Sequence, residues 1–136
     1  MLRLCYISSA RGTIDDRLLD GILTVSRRNN RAAGVTGILL AGPRRFLQLL
    51  EGDAAAVRAT YQRIARDPRH FACVVIDEKQ IGHRQFGEWD MGVVAPGTGS
   101  DDYAALATII ATIDDPDLRA QFDGFLAING GERSAA

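Results

Sequence analysis

The dipeptide Gly42-Pro43 splits one β-forming stretch into two short runs, and a helical pattern flanks the pair on each side. Proline fixes φ and has no amide to give a sheet, so Gly-Pro between apolar runs marks a tight turn. The runs at 35–41 and 45–52 (RFLQLLEG) therefore read as a hairpin. Ahead of them, residues 2–8 (LRLCYIS) are rich in β-formers. A helix follows, capped by Thr13, with Asp15 and Asp16 in its first turn and its end near Asn29. Behind the hairpin, Asp53 opens a second helix that stops near Asp67-Pro68. Runs at 71–78 (FACVVIDE) and 86–94 (FGEWDMGVV) supply strands four and five.

The order βαββαββ predicts a ferredoxin-like α+β sandwich with two helices on one sheet face. Strand side chains alternate, so Leu47 and Leu49 point away from those helices and need a cover. The tail can provide one. After a break at Gly97–Ser100, Tyr103, Leu106, Ile110 and Ile113 recur at helical spacing. Asp115-Pro116 then restarts a helix with Leu118, Phe122, Phe125 and Leu126 on its apolar side, ended by Gly130-Gly131. The expected division is a core at 1–95 and a C-terminal helical pair at 96–136.

Composition narrows the function classes. Sixteen basic and 17 acidic residues leave a formal charge of −1, and the basic residues are scattered, which points away from nucleic acid and anionic membranes. No run approaches the ~20 apolar residues that span a bilayer. The first residues turn polar too soon for a signal peptide, so a cytoplasmic location is expected. Cys5 and Cys73 read as small buried hydrophobes. His70 and His83 lack metal-ligand neighbours, so no metal is expected.

Polar residues interrupt the core-facing stripes. On helix one, Leu19 and Leu23 lead to Ser26 and Asn30, and Leu18, Ile22 and Val25 lead to Asn29. The asparagines either end the helix or serve a site. Gln48 lies mid-strand among Phe46, Leu47, Leu49 and Leu50, where a buried amide must satisfy two donors and two acceptor sites. It either bonds neighbouring backbone or faces a ligand. Tyr6, on the same face if strands one and three are adjacent, can be its partner. On helix two, Ala56, Thr60, Arg63 and Asp67 form a stripe, and Arg63–Asp67 reads as a solvated surface pair. Together these residues outline a polar-rimmed slot between two helices, suited to a planar heterocycle with carbonyl and NH groups.

At this point LCYISS around Tyr6, RRNNRAAGVTGILL at 27–40, FLQLLEG at 46–52, YQRIARDPRH at 61–70 and RQFGEWDM at 84–91 resemble the motifs of BLUF domains, blue-light sensors that use FAD. The resemblance covers about residues 1–95, with a weaker similarity of the tail to short single-domain members. It implies non-covalent FAD, with Tyr6 as photo-oxidised donor and Gln48 bridging Tyr6 and the flavin edge. It places Asn30, with Asn29 beside it, on the ring edge, and Ile22 and Ile64 on the two ring faces. Arg63 and Asp67 then bond the pyrimidine end, against the surface-pair reading, and Ser26 borders the Tyr–Gln pair. Trp89 and Met91 become a fifth-strand pair that passes the change outward. The resemblance further implies signalling rather than catalysis. About 40 residues follow strand five, so the expected output runs through the tail to a separate effector protein, from a homo-oligomer of at least two copies. A small flavoenzyme and a cofactor-free ferredoxin-like module are the competing readings.

Overall fold

The computed structural model describes residues 1–94 and 108–129. The strands are β1 (Leu2–Ala10), β2 (Thr36–Ala41), β3 (Arg45–Gly52), β4 (His70–Gln80) and β5 (Gly92–Val94). The helices that lie wholly within the described residues are α1 (Asp16–Ala33), α2 (Ala54–Ala65) and α3 (Pro116–Asn129), and residues 108–111 are helical too. The sheet runs β4-β1-β3-β2-β5, antiparallel except for the parallel β2–β5 pair. This is the ferredoxin-like α+β arrangement that the element order predicts.

The end signals of α1 differ from the expected ones. Asp15, not Thr13, is the N-cap: its backbone is extended and its carboxylate accepts from Leu18 N at 2.8 Å. The helix continues four residues past Asn29 and stops at Gly34, whose φ of 69° is the left-handed conformation that glycine reaches without penalty. Asn29 and Asn30 are thus interior helix residues, and the reading of them as terminators falls. Gly37 faces a different constraint. A Cβ there would lie 1.9 Å from Leu49 O, so the close passage of β2 along β3 requires glycine.

Strand five is much shorter than expected. Only Gly92–Val94 pair with β2, and residues 86–91 form a turn and bends instead. The large residues Phe86, Trp89 and Met91 give FGEWDM the look of a strand, but the amides of Gln85 and Phe86 are taken by the Glu51 carboxylate. Trp89 N closes a turn on Phe86 O. Trp89 and Met91 therefore precede the strand.

Two cores share the sheet. On the α1–α2 face, Leu4, Leu19, Leu23, Leu39, Leu50 and Val57 pack together. On the other face, Cys5, Ile38, Leu40, Leu47 and Leu49 lie under Phe86, Ile110, Ile113 and the α3 residues Leu118, Phe122 and Phe125. Those five sheet residues are fully buried, so the tail supplies the cover that Leu47 and Leu49 require. Tyr103, Leu106, the break at 97–100 and Gly130-Gly131 lie outside the described residues. Among the described residues no helix is long and apolar enough to cross a membrane.

Candidate flavin site

The site begins at a register position. Tyr6 of β1 stands opposite Gln48 of β3, and Gln48 stands opposite Leu39 of β2. Both polar side chains rise from the centre of the sheet toward the helices and are 2% and 3% exposed. The Tyr6 hydroxyl donates to Gln48 Oε1, and Gln48 Nε2 donates to Met91 Sδ at 3.3 Å. Burial pushes the phenol well above its ordinary pKa, so it stays a neutral donor. A donating phenol in turn sets which end of the amide faces it.

Above this floor, α1 and α2 border a cleft with about 700 Å³ of empty space, its mouth included. Ile22, Val25, Ser26, Asn29 and Asn30 line it from α1, and Thr60, Arg63 and Ile64 from α2. Asn30 is buried, and its Nδ2 donates to Asp90 O at 2.7 Å. Asp67 lines the cleft too, but its partner is Arg69 rather than Arg63. Arg69 Nε lies 3.0 Å from both carboxylate oxygens and its backbone amide 2.9 Å from Oδ1. Arg69 holds the Asp67 carboxyl below its ordinary value. The expected i, i+4 pair fails because α2 ends at Ala65, which takes Asp67 off the helical spiral. Arg63 is left on the exposed rim.

Sequence reasoning missed Arg69 and the second role of His70, while Thr60 lines the cleft as its helix-two stripe suggested. His70 is buried, as expected of a core histidine, but it also lines the cleft. Its Nε2 lies 2.7 Å from Ile64 O, which can only accept, so Nε2 carries a proton. In the neutral ring Nδ1 then accepts from Ser8 Oγ at 2.8 Å. Tyr61 packs its ring 5.2 Å from that of Tyr6. Arg69 lies between α2 and β4 and His70 is only the first residue of β4, so only the quoted segment 61–70 signalled them.

Trp89 and Met91 do not act as one pair on one face. Met91 is buried in the helix-side core against Gln48. Trp89 packs against the opposite core, and its Nε1 is buried with no hydrogen-bond partner among the described residues.

Comparison with known proteins agrees with this geometry. The profile of the BLUF family, described as sensors of blue light using FAD, matches residues 1–92. The chain belongs to the BLUF family. It is 34% identical over 88 residues to the blue light- and temperature-regulated antirepressor BluF of Escherichia coli. That match takes in 65% of this chain and 22% of the antirepressor. It is 30% identical over 91 residues to the photoactivated adenylate cyclase subunit beta of Euglena gracilis, 65% of this chain and 11% of that subunit. The chain thus spans well under a third of these curated relatives. Among solved structures, the dark state of BlrB, a BLUF protein, superposes with a TM-score of 0.66 at 29% identity. It covers 81% of this chain and 94% of BlrB.

The cofactor of BLUF proteins is FAD, and the cleft fits its ring system. It has apolar side walls, and a buried amide and phenol form its floor. Asn29, Asn30, Asp67 and Arg69 supply complementary hydrogen-bonding groups along its length.

Proposed function

We propose that this BLUF chain is a blue-light photoreceptor whose switch is the bonded series Tyr6–Gln48–Met91. That series at the cleft floor carries the reading. FAD supplies light absorption and an electron acceptor; the protein supplies placement and hydrogen bonds. Ile22 and Ile64 would hold the ring from its two sides. Asn30, Asn29 and Ser26 would meet one edge, and Asp67, Arg69 and Arg63 the other. Tyr6 would give an electron to the bound flavin and pass its hydroxyl proton to the same acceptor by way of Gln48. Gln48 is suited to the exchange because its two ends have similar volume and opposite polarity. Reversing the amide would present NH₂ to Tyr6 and oxygen to Met91. The Met91 thioether can only accept, so it would lose its donor.

The part of the chain is sensing rather than turnover. Residues 1–95 act as the sensing core. Residues 96–136 form the output side, which hands the change to an effector protein, with the chain in an assembly of at least two copies. The antirepressor and the cyclase subunit support an effector, since each joins a matching region to a longer chain. Absorption of the FAD-loaded protein tests the reading. Blue light should shift the flavin spectrum reversibly to the red, with full return in darkness. Failure to retain flavin, or bleaching without return, would reject it.

A further inference from the structure

Glu51 is a carboxylate where a sheet core expects a hydrocarbon. It lies in β3, three residues after Gln48, and is fully buried. Its Oε2 accepts from the amide of Gln85 at 2.6 Å, and its Oε1 accepts from the amide of Phe86 at 2.8 Å. The Thr36 hydroxyl sits 3.3 Å from Oε1. Arg84 braces the same corner, donating to Thr36 Oγ1, Glu51 O and Gly34 O at 2.8 to 3.1 Å. Burial pushes the Glu51 carboxyl above its ordinary value despite the opposing pull of the two amides. A side chain held at such a cost serves placement better than stability.

The bonded residues open the segment that ends in Met91. Phe86, the next anchor, is fully buried and stacks on Phe122 of α3, ring centroids 6.3 Å apart. The far end of the segment is tied differently. Asn30 Nδ2 donates to Asp90 O, and Arg27 Nε donates to Met91 O at 3.0 Å. Asn30 is itself a cleft residue. One end is thus bolted to the sheet, and the other follows the cleft.

We propose that Glu51 is a positioning residue of the light switch: its carboxylate fixes residues 85 and 86, so a change at Gln48 displaces 87–94 about that fixed end. The proposal rests on the photosensor reading above. Trp89 Nε1, with no hydrogen-bond partner among the described residues, belongs to the displaced part.

The test uses the FAD-loaded full chain. Amide exchange in light and dark should leave Gln85 and Phe86 equally protected while Asp90 to Val93 change. In Glu51→Gln only one side-chain oxygen remains for two amides. The light-induced exchange change should spread into residues 85 and 86, and dark recovery should quicken about tenfold, the effect of one lost charge-assisted hydrogen bond. Val57→Ala, a buried change on α2 away from this corner, controls for lost stability and should leave recovery as it is. Loss of Gln85 and Phe86 protection in illuminated wild type overturns the proposal and needs no variant. So does a folded Glu51→Gln with wild-type recovery. A wild-type protein with no light response overturns the photosensor reading and this inference with it.

Discussion

Tyr6 and Gln48 face each other in register across β1 and β3, and the phenol donates to the amide oxygen inside a closed core. Neither can change partner without the other responding, since each is almost wholly shielded from water. Tyr6→Phe removes the donor and leaves Asn30, Asp67 and Arg69 untouched. Gln48→Leu removes the switchable amide at similar volume. Both variants should retain FAD and lose the normal red-shifted state. Light-minus-dark difference spectra decide it, and a normal red-shifted product in both would remove this pair from the switch.

Met91 is the next member of the series, and its sulfur is the acceptor for Gln48 Nε2. Met91→Leu keeps the volume and deletes the acceptor, at a stability cost below about 1.5 kcal/mol. The red shift should persist, because Tyr6 and Gln48 remain. The light-induced exchange change over 87–94 and in α3 should shrink. An exchange difference equal to that of wild type would place the output path elsewhere.

The arrangement of strands and helices was legible because periodicity and punctuation agree: Gly42-Pro43, Gly34 and Pro68 all sit where the chain turns. Gln48 was legible as an anomaly, an amide in an apolar strand. What failed to show was structure made by side-chain bonds that follow no helix or strand period. Glu51 captures Gln85 and Phe86 from 34 and 35 residues away and so denies FGEWDM its strand. Asp67 takes Arg69 rather than Arg63 because the chain leaves the helix in between. Neither event has a local period to read.

Gly37 offers a test of the sheet itself. Its position against Leu49 O leaves no room for a methyl group, and its amide donates to Trp89 O at 3.0 Å. Gly37→Ala should therefore force β2 from β3 and loosen the Trp89 turn, at a cost on the order of 3 kcal/mol. Denaturant unfolding of the apoprotein measures this directly. A midpoint equal to that of wild type would mean that the two strands part more easily than their register suggests.

Asp115 tests how the tail is held. Its Oδ2 meets Arg3 Nη2 at 3.0 Å and Lys79 Nζ at 3.1 Å, while Oδ1 accepts from the Asp117 amide at 3.0 Å at the start of α3. Arg3 is buried and also binds Asp77 of β4, with Nε 2.7 Å from Oδ2. One carboxylate thus caps α3 and pins it to two strands. Hydrogen bonds from Arg3, then Lys79, hold the Asp115 carboxyl well below its ordinary value. A depressed folded pKa contributes stability above the unfolded value and loses it as pH falls through the folded one. Docking of α3 should therefore be insensitive to pH near neutrality and weaken only in acid below the usual Asp range. Asp115→Asn keeps the shape and removes the charge. Exchange over Leu118–Phe125 should rise about fivefold at neutral pH, while Tyr6 and Gln48 still give a red shift. The variant should also lose this part of the acid dependence. Unchanged α3 protection in the variant would assign the docking of the tail to Phe122 and its apolar neighbours alone.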